Sequence, residues 1–196
     1  MTSRKYLILW VIKLAARLFL QPFFKIAIHG MENIPEKGGF ILSPKHQRWE
    51  DIPLLSLAAG KPLYYIAKHE LFNNFLSNWF FSSLGGIPLN REHLMESRSS
   101  LVKIIEVLNL GEGVVVFPEG TYYINKVGPG QIGIVKLILS RLNVPFIPVG
   151  INYLRAGLKT QVKITFGKPL HVEKEMPAAM FLGILMKKIA GLSGLC

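Results

Sequence analysis

The sequence predicts an α/β fold, a mixed, mostly parallel sheet with helices around it. Three observations carry that expectation. Strand-like and helix-like segments alternate along most of the 196 residues, the pattern of βαβ units. Residues 114–117 read Val-Val-Val-Phe, an unbroken β-branched run typical of a strand covered on both faces. Hydrophobic residues make up 50% of the chain and charged residues 18%, which excludes a disordered polymer. A core of this size needs no metal or disulfide to hold it. The single cysteine, Cys196, excludes an intrachain disulfide and a cysteine zinc site.

The elements follow in order. Residues 5–20 read as a helix, with Tyr6, Trp10, Leu14 and Leu18 at helical spacing. Pro22 ends it. Strands are expected at 24–29 and 39–42, joined through the turn-rich segment 33–38. A short helix follows at 52–59, with Pro53 in its first turn and Gly60 past its end. Residues 63–67 read as a strand and 71–81 as an aromatic-rich helix. Residues 93–110 form an amphipathic helix closed by Gly111. A helix at 132–142, strands at 146–151 and 162–166, and a last amphipathic helix at 178–192 complete the pattern. Repeats, low-complexity tracts and interdomain linkers are absent from the sequence.

Charge divides the chain further. The formal net charge is +11. Arg4, Lys5, Lys13, Arg17 and Lys25 all precede the first acid, Glu32, and seven basic residues lie between Glu119 and Glu173 with no acid among them. Such a field attracts polyanions, whether nucleic acid, an anionic membrane or a phosphorylated or CoA-linked substrate. The high apolar fraction favours a membrane, and no zinc-finger spacing or basic-region heptad points to nucleic acid. No apolar run reaches the roughly 18 residues of a spanning helix; Lys13 and Arg17 interrupt the best one. Lys13, Arg17 and Gln21 instead form a narrow polar stripe on an otherwise apolar helix, which suits the bilayer interface. A helix packed on the domain is the competing reading. Residues 1–22 are therefore expected to be an amphipathic membrane-associating helix, and 23–196 the globular domain.

Four motifs carry chemistry. His46 follows a strand and Asp51 opens a helix, with four residues between them. Loops at strand carboxyl ends hold most α/β sites. A carboxylate beside an imidazole fixes its tautomer and leaves the other nitrogen free as a base. Next, the glycine pair Gly85 and Gly86 leads an extended segment ending in Arg91, whose planar fork suits phosphate. Third, Phe117-Pro118-Glu119-Gly120-Thr121-Tyr122 follows the buried strand and gathers a carboxylate, backbone N–H groups and a hydroxyl. A glycine-rich lead-in to a helix, residues 128–133, lies beyond it as a potential anion site. Fourth, Pro145 and Pro148 bracket a short apolar strand, which marks a sheet edge or a wall of the site.

Together these motifs resemble the lysophospholipid acyltransferases of the 1-acyl-glycerol-3-phosphate acyltransferase type. His46 and Asp51 match that family's His-x4-Asp motif, and residues 86–91 match its second block with a phosphate-binding arginine. Residues 117–121 match the third block letter for letter, and residues 144–148 the fourth. All four stand in the family's order. The chain departs from the family pattern at Lys45, at Arg48, and at Tyr122, where many members carry an arginine.

The resemblance implies a membrane-associated acyltransferase of phospholipid biosynthesis at the cytoplasmic face of the inner or plasma membrane. A fatty acyl group would move from a thioester, acyl-CoA or acyl carrier protein, to the free hydroxyl of a lysophospholipid, foremost 1-acyl-glycerol-3-phosphate. His46 would act as base and Asp51 would orient it. Arg91, Glu119, Gly120 and Thr121 would bind the acceptor, with Arg48 the foremost substitute for the arginine missing at position 122; Lys45 and Lys126 are the others. No metal and no cofactor beyond the thioester is expected. Two alternatives stay open: another acceptor such as a lyso-ornithine lipid, or a catalytically silent protein that binds membrane or nucleic acid.

Overall fold

The computed structural model describes residues 3–90, 98–172 and 175–195. A seven-stranded sheet forms its centre, in the order β1-β7-β6-β2-β5-β3-β4. The strands are β1 (Phe24–His29), β2 (Phe40–Pro44), β3 (Leu63–Lys68), β4 (Gly86–Leu89), β5 (Gly113–Val115), β6 (Phe146–Ala156) and β7 (Lys159–Phe166). Every pairing is parallel except β6 with β7. Helices are α1 (Ser3–Leu20), α2 (Asp51–Ala58), α3 (Phe75–Ser83), α4 (Arg98–Asn109), α5 (Ile132–Leu139) and α6 (Ala178–Ser193). The mixed, mostly parallel sheet expected from the sequence is thus observed.

Side-chain alternation along the strands builds two cores. On one face Leu42, Val115, Phe117 and Val149 pack against Leu54, Leu55 and Ala58 of α2 and Leu20 of α1. On the other, Ile41, Val114, Val116 and Phe146 meet Ile104 of α4, Val135 of α5, and Phe181 and Leu185 of α6. Residues 114–117 therefore alternate between the two cores, which is why all four are apolar.

Three expectations change. The helix expected at 71–81 is two pieces, a 3-10 turn at His69–Phe72 and then α3. Asn74 separates them, because its side chain accepts the Ser77 N–H and caps the new helix. Pro148 does not mark an edge: β6 lies inside the sheet, between β2 and β7. Pro148 precedes the first β6–β7 pair, Val149 with Phe166, so that ladder needs no donor from it, and its carbonyl accepts the Gly167 N–H. Finally, β6 runs well past residue 151 into a hairpin with β7, turning through Gly157 at φ +63°.

Within the described residues, no helix is long and apolar enough to cross a membrane. The side chains of Val11, Leu14, Leu18 and Phe19 on α1 are exposed.

Candidate active site

The loop of residues 45–50 leaves β2 at its carboxyl end and enters α2 at Asp51. Asp51 is fully buried, and its carboxylate organises the loop. Oδ2 accepts the backbone N–H groups of Gln47 at 2.6 Å and Arg48 at 2.8 Å and lies 3.1 Å from His46 Nδ1. Oδ1 accepts the Tyr153 hydroxyl at 2.5 Å. A carboxylate on Nδ1 selects the tautomer with its proton there. The Nε2 lone pair is then the basic site, and no described residue hydrogen bonds to Nε2. His46 is held in place by rings: Phe117 stacks on it at 3.8 Å between centroids, and Tyr122 meets it edge-on at 4.4 Å. Its side chain is 11% exposed, so it is largely desolvated yet reachable.

The third motif is built into the same loop. Pro118 and Glu119 turn the chain after β5, closed by a Gly120 N–H to Phe117 carbonyl bond. Gly120 sits at φ +72°, a conformation that costs glycine nothing and other residues strain. Glu119 is buried and its carboxylate is fully engaged. Lys45 Nζ reaches Oε2 at 2.8 Å and Oε1 at 3.0 Å, the His46 N–H donates to Oε2 at 2.9 Å, and the Gly128 N–H donates to Oε1 at 2.6 Å. A Cβ on Gly128 would strike the Tyr123 ring at 2.2 Å, so only glycine brings that N–H so close.

This bears on two expectations. Glu119, expected to bind the acceptor, borders the cleft described below, and protein donors occupy both its oxygens, so that it also anchors the histidine's own backbone. Lys45 is not a substitute phosphate ligand, because its ammonium is buried on Glu119 and on the carbonyls of His46 and Tyr123. The anion expected at the glycine-rich lead-in to α5 is this same Glu119 carboxylate.

Beside the histidine lies a cleft of ≈ 290 Å³ at the carboxyl ends of β3 and β4. Phe117 is shared between it and the His46 stack. Ile66, Leu89, Val116 and Ile134 supply apolar wall; Lys68, His69, Glu70, Asn90, Glu119 and Gln131 supply polar groups; Gly120 and Thr121 also line it. Arg48 is exposed, with its guanidinium 4.7 Å from the centre of the Tyr153 ring. Lys126 Nζ sits 5.9 Å from the Tyr123 ring centre. Arg91 lies outside the described residues.

Two supporting residues were not among the sequence candidates. Tyr153 falls on the part of β6 beyond residue 151, where the expected strand stopped. Burial, then the nearby Asp51 charge, pushes its phenol above the ordinary tyrosine range, so it stays a donor. Gln47 ties the loop to β6 and to the turn beyond the third motif, donating to the Ile151 carbonyl and accepting the Asn125 N–H. The alternation of Ile151 and Tyr153 on one strand face was the available signal for the first; nothing in the sequence singles out the second.

The family model described as Acyltransferase matches residues 25–152. The chain is 28% identical over 179 residues to a chloroplastic 1-acyl-sn-glycerol-3-phosphate acyltransferase of Arabidopsis thaliana, covering 84% of this chain and 49% of that protein. It is 30% identical over 153 residues to the 1-acyl-sn-glycerol-3-phosphate acyltransferase of Bacillus subtilis, covering 74% of each. The crystal structure of the 1-acyl-sn-glycerophosphate acyltransferase PlsC from Thermotoga maritima matches with a TM-score of 0.76 and 25% identity, covering 100% of this chain and 83% of that one. This chain thus spans about half the length of the plant relative. The matched segment contains both buried carboxylates and the loop they hold, and on that ground the chain belongs to the 1-acyl-sn-glycerol-3-phosphate acyltransferase family.

Proposed function

We propose that this protein transfers a fatty acyl group from an acyl thioester, CoA or acyl carrier protein, to the free hydroxyl of 1-acyl-glycerol-3-phosphate, giving phosphatidic acid. The observation that carries the reading is the His46–Asp51 pair, with Nδ1 on the carboxylate and Nε2 unoccupied by any described residue. In the reaction His46 Nε2 takes the proton of the acceptor hydroxyl while that oxygen attacks the thioester carbonyl carbon. The carbon–sulfur bond breaks, and the imidazolium returns its proton to the departing thiolate. Positioned base catalysis of this kind contributes about 10²–10⁴-fold. Asp51 orients the ring and stabilises the imidazolium, and Tyr153 holds Asp51. No acyl-enzyme is needed, since no Ser or Cys adjoins His46 in the motif.

Arg91 is assigned to the acceptor phosphate. It follows Asn90, which lines the cleft. Gly120 and Thr121 border the same cleft, and Arg48 is a second phosphate ligand free to swing from its ring contact. Glu119 and Lys45 position the loop. The reaction as written draws on these side chains and the thioester, with no metal.

We place the protein on a membrane surface, at the cytoplasmic face of the inner or plasma membrane, where thioester donors occur. The exposed apolar side chains of α1, next to Lys13 and Arg17, support an interfacial helix. Nucleic acid is not assigned a role.

The test is a transfer assay with the purified protein, both thioester donors, and lysophosphatidate beside a lyso-ornithine lipid. Labelled phosphatidic acid formed with a clear preference for lysophosphatidate supports the reading. Preference for the lyso-ornithine lipid moves the acceptor assignment. Binding without product from any pair sinks the catalytic reading.

A further inference from the structure

A second groove, of ≈ 470 Å³, lies away from the cleft, along the outer edge of the sheet. It shares no lining residue with the cleft. Its size is within the about 300–1,000 Å³ that small-molecule sites occupy. Strand β1 is the terminal strand and pairs with β7 alone. Phe24, Ile26 and Ile28 recur at period two and so share one face of that strand. Helix α2 covers this face only in part: Phe24 and Ile26 remain half-buried, and Ile28 is exposed. With Leu20 of α1 and Leu57 of α2 they line the groove.

The rest of the lining is basic. Arg17 from α1, Lys25 from β1 and Lys159 from β7 border the groove, and no carboxylate does. Among the described residues none of these cations has a salt-bridge partner. Lys159 donates to the Gln21 carbonyl at 3.1 Å, which holds its ammonium there without neutralising it. Three uncompensated cations from separate elements, set beside a continuous apolar wall, complement a ligand with a compact anion on a hydrocarbon chain. Arginine's planar fork suits the oxygens of a phosphate diester.

We propose that this groove binds one anionic phospholipid, its phosphate among Arg17, Lys25 and Lys159 and one acyl chain along Leu20, Phe24, Ile26 and Leu57. The site is independent of which acceptor the cleft acylates. It is also close to the chemistry: the Phe24 ring packs edge-on against Tyr153, at 6.5 Å between centroids, and Tyr153 holds Asp51. A lipid seated on Phe24 is one side chain from the support of the catalytic pair.

The probe is dioctanoyl phosphatidylglycerol, an intact diacyl lipid, counted on the full-length protein by native mass spectrometry after release from detergent. The expected result is one bound lipid in wild type. Affinity should fall about tenfold or more in Lys25→Gln/Lys159→Gln, from the loss of two charge-assisted contacts. It should be unchanged in Lys187→Gln/Lys188→Gln, exposed lysines of α6. Dioctanoyl phosphatidylcholine should bind at least about tenfold more weakly than the anionic lipid. Inorganic phosphate at the same concentration should not compete, which separates a lipid site from an anion site. Equal binding by the edge and α6 variants overturns the proposal, as does equal binding of the two lipids or displacement by phosphate alone. Arg17→Gln, on an exposed side chain, repeats the measurement, so a folding defect in the double variant cannot mask the answer.

Discussion

Asp51 and Glu119 are both buried carboxylates that accept backbone N–H groups from the same loop, and their charges are handled in opposite ways. Glu119 is paired with a buried ammonium, Lys45, and accepts two backbone donors. Among the described residues Asp51 has no lysine or arginine against it; its ionisable partner is His46, a cation only when protonated. The Tyr153 hydroxyl and two N–H groups stabilise Asp51 without cancelling its charge. In the proposed reaction, protonation of His46 would complete an ion pair that a neutral imidazole leaves half-made. One carboxylate is paired with a fixed cation, and the other, in the proposed mechanism, with a group that gains its charge by proton transfer. The charge on the partner, rather than the depth of burial, tells them apart.

The comparison breaks most visibly at His46. His46→Ala should lower transfer by about 10²–10⁴-fold or more and leave the melting temperature nearly unchanged, since no buried charge loses a cation. Turnover close to wild type would remove the base assigned here.

Lys45→Met should do the reverse. It strands Glu119 without its cation and should cost about 3–5 kcal/mol of unfolding free energy, read from urea titration. Adding Glu119→Gln should recover much of that loss, because a neutral buried pair carries no stranded charge. Unchanged stability in Lys45→Met would erase the distinction between the two carboxylates.

Tyr153→Phe sharpens the Asp51 side alone. Loss of one hydrogen bond to a charged group should lower kcat about tenfold. The same variant has a pH signature. In the native state the Tyr153 proton is held above the ordinary tyrosine value of 10.0. Its stabilising contribution is thus complete below about pH 10 and is lost as pH rises beyond that value. Wild-type stability should fall above pH 10 more steeply than that of Tyr153→Phe, by about 1.4 kcal/mol per pH unit. Parallel curves would mean that the hydroxyl does not hold its proton on Asp51.

The smallest effect is expected at Tyr122, whose ring edge lies on His46 but whose side chain is half exposed. If Arg48 supplies the phosphate contact, Tyr122→Arg leaves lysophosphatidate turnover unchanged or a little higher. A reversal of preference between lysophosphatidate and an uncharged lysolipid would assign headgroup selection to position 122.

The sequence made the local parts of this arrangement legible. His46 and Asp51 are close in the chain, and the strand-to-helix change around them is written in hydrophobic period, so both the pair and its loop could be placed. The buried strand at 114–117 was readable because both its faces must be apolar. What the sequence hid was long-range. The structural partner of Glu119 was hidden because a carboxylate in a turn carries no mark of the lysine that meets it from 74 residues away. Lys45 looked like a surface cation for the same reason. Tyr153 was missed because strand length depends on the partner strand, and the β6–β7 hairpin extends β6 beyond its apolar core. Pro148 misled because its missing donor matters only if a neighbouring strand asks for it.

The strand order has a consequence for how the molecule is made. β1 is made before β2 to β6, yet its partner in the sheet is β7. β2 likewise needs β6 on one side. Sheets whose neighbours are distant in sequence assemble slowly, because loop closure must precede the contacts that reward it. Through most of translation the His-x4-Asp segment is present without the tyrosine that fastens it, and α1 is exposed beside an unpaired strand. If α1 is the proposed interfacial helix, the nascent chain would offer it to a bilayer before Tyr153 fastens the proposed catalytic pair. In that reading the β6–β7 hairpin, which carries Tyr153, is the step that fastens Asp51.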